Sequence, residues 1–150
     1  MPQSLTQLYV HLVFSTRERQ PFLTDAIRPR VHAYLSTVLR NMGSPYVVAG
    51  GVADHVHLLF ELPKDRPPTE VVAVVKRESS KFVKTLEPGL DAFQWQRGYG
   101  MFAVSPSNRP KVEAYVRNQE EHHRQRSFQE EYWEMLKRMG IDCDERYVWD

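Results

Sequence analysis

Apolar and polar positions follow two periods along this chain. The run Leu8–Ser15 is β-rich and reads as a first strand. After Thr24-Asp25, apolar residues recur at helical spacing, with Ile27, Val31, Tyr34, Leu35, Val38 and Leu39 on one face and Asn41-Met-Gly43 as the stop. Tyr46–Val52 and His55–Leu62 read as two strands joined in a hairpin, with turn or bulge chemistry from Gly50-Gly51 and Asp54. Prolines fix the loop Pro63–Pro68, and Thr69 opens a helix to about Leu86. Phe93–Val104 reads as a strand or strand pair interrupted by glycines. A long helix follows, capped by Ser107 or Asn108 with Pro110 in its first turn. After a break near Ser127, a further helix spans Phe128–Met139 and stops at Gly140. The aromatic tail ending in Tyr-Val-Trp-Asp150 is expected to dock. The order β-α-β-β-α-β predicts an α+β, ferredoxin-like (RRM-like) antiparallel sheet with helices on one face, plus additional C-terminal helices. Residues 1–150 are expected to form a single domain.

Candidate chemistry sits on this framework. On an extended strand, residues two apart point the same way, so His55 and His57 lie side by side with Val56 facing the opposite surface. Neutral imidazoles are common ligands for divalent metals, and two of them make half a site. On a helix, positions i and i+4 share a face, which projects Tyr115 and Gln119 together. A carboxamide oxygen can bind a hard metal, and a phenol can act as a nucleophile. If that helix covers the strand face bearing His55 and His57, the mixed nitrogen and oxygen set suits Mg²⁺ or Mn²⁺. Tyr115 would then attack a phosphodiester, its phenol needing help because its ordinary pKa is about 10. Neither a Gly-x-x-x-x-Gly-Lys nor a Gly-x-Gly-x-x-Gly motif occurs, so nothing points to nucleotide-driven chemistry. Asp54 has two readings, as a carboxylate orienting an imidazole or as a turn residue. His11 reads as a packed histidine with a possible place near the scissile phosphate.

Composition narrows the setting. A hydrophobic share of 41% and a charged share of 26% suit a soluble domain, and no run approaches the roughly 20 apolar residues of a membrane helix. The N-terminal residues lack signal-peptide features and Cys143 is the sole cysteine, which excludes an internal disulfide framework and predicts a cytoplasmic location. Net charge is only +1, so any polyanion must bind a local basic face rather than the whole molecule. One such stretch is Arg109, Lys111, Arg117, Arg124 and Arg126; another is Lys76, Arg77, Lys81 and Lys84.

The chain resembles the single-tyrosine HUH transposases, the small insertion-sequence family that includes the transposases associated with repetitive extragenic palindromes. The resemblance is carried by His11-Leu-Val-Phe-Ser-Thr-Arg17, Asp54-His-Val-His-Leu-Leu-Phe60, Gly98-Tyr-Gly-Met-Phe-Ala-Val-Ser105, Tyr115-Val-Arg-Asn-Gln-Glu-Glu-His-His123 and Phe128-Gln-Glu-Glu-Tyr132. It implies cleavage and rejoining of single-stranded DNA beside an imperfect hairpin, through a 5′-phosphotyrosine on Tyr115. It implies Mg²⁺ or Mn²⁺ held by His55, His57 and Gln119, and a homodimer in the bacterial cytoplasm. Lys76, Arg77, Lys81 and Arg117 then become candidates for DNA contact, and Trp95 or Tyr99 for base stacking. Two readings compete. His122 or His123 could join His55 and His57 in a three-histidine zinc site of a metal-dependent phosphodiesterase. The same fold class also serves non-catalytic modules that bind single-stranded nucleic acid.

Overall fold

The computed structural model describes residues 2–123 and 126–150; Arg124 of the basic stretch lies outside them. Four strands form one antiparallel sheet among the described residues: β1 Tyr9–Ser15, β2 Val47–Val52, β3 His55–Glu61 and β4 Gly100–Val104, in the order β2-β3-β1-β4. Helices α1 Arg28–Asn41 and α2 Pro68–Lys84 are the crossovers, completing the expected β-α-β-β-α-β order. Helices α3 Arg109–Arg117, α4 Gln119–His123 and α5 Phe128–Arg138 follow.

The period-two pattern divides the sheet into two buried faces. Val10, Leu12 and Phe14 of β1 and Val56, Leu58 and Phe60 of β3 join Val31, Leu35 and Leu39 of α1 and Val71, Val72, Val75 and Val83 of α2 in the largest core. The alternate residues face the other way. There Val13 and Phe102 meet Phe128, Tyr132 and Leu136 of α5, while Val48, Leu59 and Val104 meet Val116 of α3. The sheet is thus covered on both sides: the paired crossover helices sit on one face, and the C-terminal helices on the face that carries His55 and His57. Burial on both faces explains why β1 and β3 are almost continuously apolar.

Two local differences from the sequence expectation have physical causes. Phe93–Val104 holds one strand rather than a strand pair: β4 begins only at Gly100, and Trp95 makes a single bridge to Thr16. The Gln96 side chain accepts from the Ser15 amide at 2.8 Å, and Lys76 Nζ takes the carbonyls of Gln96, Arg97 and Gly98 at 2.9, 3.1 and 2.6 Å. Those carbonyls are therefore withdrawn from the ladder. The helix after Asn108 is also not continuous, because Asn118 (φ −100°, ψ 30°) separates α3 from α4. At the chain end, Trp149 packs 5.9 Å from the Tyr132 ring, and the Asp150 carbonyl accepts from the Gly98 amide at 2.8 Å, so the tail docks as expected.

One close approach sets the height of α3 above the sheet. A Cβ placed on Gly50 of β2 would lie 1.9 Å from the Val116 carbonyl oxygen, a backbone atom that cannot swing away. Gly50 pairs with His57 across the β2–β3 ladder, so this contact stands directly beside the histidine pair. Gly50→Ala should therefore lower stability by about 1–3 kcal/mol in denaturant unfolding. An unchanged unfolding midpoint would show that α3 is not seated on this glycine.

Candidate metal centre and tyrosine

Side chains from the sheet and three C-terminal helices converge over the second face. His55 and His57 are fully buried, and Gln119 and Glu131 are only 1% and 4% exposed, so polar atoms here meet one another rather than solvent. Asp54 accepts from His55 Nδ1 at 2.8 Å. A carboxylate can only accept here, so in the neutral imidazole the Nε2 lone pair is bare and points inward. Gln119 donates its Nε2 to the Tyr115 carbonyl at 3.1 Å, which turns its Oε1 inward as well. His55 Nε2 and Gln119 Oε1 consequently face each other at 3.3 Å, with Glu131 Oε1 3.6 Å from the same nitrogen.

His57 is held on both sides. Its Nδ1 shares a 2.8 Å hydrogen bond with His11 Nε2, and its Nε2 lies 2.8 Å from Glu131 Oε1. Burial lowers the His57 pKa to about 4 and, reinforced by His57, lowers that of His11 to about 3. Both rings are neutral at physiological pH, the form that binds metal. His123 enters through Nε2, 3.1 Å from Gln119 Oε1 and 3.3 Å from Glu131 Oε2. Burial is the largest single influence and would lower its proton affinity, but the hydrogen bond to Glu131, the charge of that carboxylate and the Arg126 carbonyl together outweigh it and raise the pKa. Ligand atoms of His55, His57, His123 and Glu131 all lie within 4.8 Å of one another.

Tyr115 stands at the edge of this cluster, its ring 5.7 Å from His57 and 6.2 Å from His11, and its hydroxyl donates to Glu131 Oε2. Burial, and then the neighbouring carboxylate, push the phenol well above its usual pKa. For Glu131, burial alone would favour protonation; hydrogen bonds from His123, His57 and Tyr115 overcome it and hold the carboxyl well below the usual range. The two oxygens of Glu131 divide their contacts: Oε1 faces the sheet histidines, and Oε2 faces Tyr115 and His123.

The structure thus gathers Tyr115, His55, His57, Gln119 and Asp54, all from one chain. Glu131 escaped sequence reasoning, although a signal was present. Phe128, Glu131, Tyr132 and Leu136 share one buried helix face, and a carboxylate on an apolar stripe calls for a partner. The basic candidates are dispersed. Lys76, Arg77 and Lys81 lie on α2, across the sheet from the cluster; Lys76 is committed to backbone carbonyls, and Arg77 and Lys81 lie 3.2 and 3.8 Å from Glu78. Arg117, on the cluster side, lies 3.6 Å from Glu113. Trp95 is buried and donates to Ser79 at 2.9 Å, so it offers no stacking face, whereas Tyr99 is half-buried.

A sheet protein of this order with a histidine-rich donor cluster beside a tyrosine defines a narrow class. The family described as "Transposase IS200 like" matches residues 4–119, and the chain belongs to that family. Among solved structures, a presumed transposase from Deinococcus radiodurans R1 is similar at 22% identity and TM-score 0.61, over 79% of this chain and 98% of that one. A REP-associated tyrosine transposase bound to a REP hairpin is similar at 15% identity and TM-score 0.55, over 77% of this chain and 68% of that one. No curated protein matches the chain.

The buried imidazoles make a testable demand on stability. His57 and His32 titrate near 4 and His11 near 3 in the folded state, all below the free value of 6.5, each because of burial. Below pH 6.5 the unfolded chain therefore binds protons that the folded chain refuses, and stability is lost as pH falls towards 4; His123, raised, opposes this in part. The denaturation midpoint of metal-free protein should fall steadily from pH 7 to pH 4. A flat or rising midpoint would contradict the neutral, buried assignment.

Proposed function

We propose that this transposase cleaves and rejoins single-stranded DNA at or near hairpin sites through a covalent 5′-phosphotyrosine on Tyr115. The observation that carries the reading is the convergence of electron-pair donors, His55 Nε2 facing Gln119 Oε1 at 3.3 Å, beside a tyrosine hydroxyl that donates to Glu131. Facing lone pairs repel unless a cation or proton lies between them, and a mixed imidazole, amide and carboxylate set fits Mn²⁺ or Mg²⁺. His55, His57 and Gln119 would hold the ion, with Glu131 or His123 within reach to complete the set. A divalent cation held there would supply Lewis-acid polarisation of a phosphoryl oxygen and would neutralise developing charge.

The chain's own residues do the rest. Asp54 and His11 fix the two imidazoles through their outer nitrogens. The Tyr115 proton passes to Glu131 Oε2 as the phenolic oxygen attacks phosphorus in line. The P–O3′ bond breaks, and the departing 3′ oxygen takes up a proton. Reversal by a 3′-hydroxyl reseals the strand, so the bond energy is conserved and no nucleotide triphosphate is consumed.

The reading takes residues 1–150 as one HUH-type domain, because α5 supplies Glu131 to a cluster otherwise built on the sheet and α3–α4. The proposed homodimer would carry a complete donor set in each subunit. Among the described residues no helix is long and apolar enough to cross a membrane. We propose the bacterial cytoplasm as the setting, on the strength of the proposed DNA substrate. His123 also favours a second reading, since its Nε2 joins His55 and His57 in a set resembling a three-histidine zinc phosphodiesterase site.

Incubation with single-stranded hairpin DNA and Mn²⁺ separates the two. Wild-type protein should form a denaturation-resistant adduct mapping to Tyr115, and Tyr115→Phe should lose both adduct and cleavage. Retained hydrolysis by Tyr115→Phe with bound zinc would establish the phosphodiesterase reading instead.

A further inference from the structure

A cleft of about 350 Å³ opens beside Tyr115, between α3 and α5, with Phe102 of β4 among its lining residues. Tyr115 and Glu131 both line it, so whatever occupies it lies next to the reacting hydroxyl. The rest of the lining is apolar, polar and charged, Glu134 included. Phe102, Met135 and Met139 give an apolar surface, and the exposed Asn108 and Lys111 give a polar rim. The arginines of this cleft, Arg126 and Arg138, are both paired with Glu134. Lys111 has no acidic partner among the described residues, which leaves its charge available to an anion. The wall from α5 lies beyond residues 4–119, so the family match does not specify this cleft.

We propose that the cleft seats the nucleotide flanking the scissile phosphate, an inference that rests on the strand-transfer reading. Its volume is at the small end of ligand pockets, suited to one nucleotide and too small for a duplex. The thioethers of Met135 and Met139 form a polarisable, adaptable surface for the face of a planar base. The Asn108 amide offers both a donor and an acceptor to a base edge. Lys111 faces the sugar-phosphate chain as it leaves the cleft, while the phosphate at the inner end meets Tyr115. Preference for the base beside the cut would then be set by α3 and α5, apart from any hairpin contact.

Photocrosslinking tests this without requiring cleavage. Tyr115→Phe protein is bound to single-stranded hairpin oligonucleotides selected from a pool with randomised flanks, resynthesised with 5-iodo-deoxyuridine at successive flank positions, irradiated and mapped by mass spectrometry. One position should crosslink to Phe102, Met135 or Met139. Lys111→Ala combined with Met139→Ala, both at exposed side chains, should weaken binding of those oligonucleotides about tenfold with an unchanged unfolding curve. Crosslinks confined to other surfaces, no crosslink, or binding within twofold of the parent would overturn the proposal. The Tyr115 adduct of the wild-type protein is read separately. An adduct without cleft crosslinks sinks this inference alone, and cleft crosslinks without an adduct sink the strand-transfer reading while leaving a nucleotide site.

Discussion

The carbonyl oxygen of Val116 lies where any side chain on Gly50 would begin, and the geometry of the whole second face follows from that contact. It lets α3 descend onto β2 and β3, placing Tyr115 one residue before the contact point and Gln119 three residues after it. Because Gly50 pairs with His57, the helix is lowered beside the histidines and not elsewhere on the sheet. The Gln119 amide then ties back to the Tyr115 carbonyl, which preserves their shared face despite the break at Asn118. A glycine in a strand interior weakens it; here the loss is offset by a close helix–sheet contact.

Each inward-facing ligand atom is aimed by a bond on its far side. Asp54 turns His55, His11 turns His57, and the Tyr115 carbonyl turns Gln119. Burying a carboxylate such as Glu131 is costly unless charge and hydrogen bonds compensate it. The compensation comes from His57, His123 and Tyr115, and a bound cation would supply more of it. The same carboxylate links the donor cluster to the tyrosine, because one oxygen looks to the sheet histidines and the other to Tyr115, the proposed nucleophile.

Much of this was legible in the sequence because it depends on local periodicity. Strand alternation fixed the common face of His55 and His57, helical spacing brought Tyr115 to Gln119, and element order gave the sheet topology. What was not legible depends on contacts between segments distant in the chain. Glu131 reaches the site only because α5 packs across Val13 and Phe102. Lys76 reads as a free cation in sequence, yet three carbonyls from residues 96–98 surround its ammonium. Trp95 reads as an exposed aromatic, yet it is packed edge-on against Phe14 and Phe93 at 4.8 Å. Charge and aromaticity alone do not tell which residues the core will claim.

His55, His57 and Gln119 are proposed to form a cation site poised beside Tyr115. The most direct measurement is anomalous diffraction from crystals of the protein soaked in Mn²⁺. A manganese peak is expected within bonding distance of His55 Nε2, His57 Nε2 and Gln119 Oε1. A fully formed cluster with no peak, or a peak bound only to surface carboxylates, would contradict it.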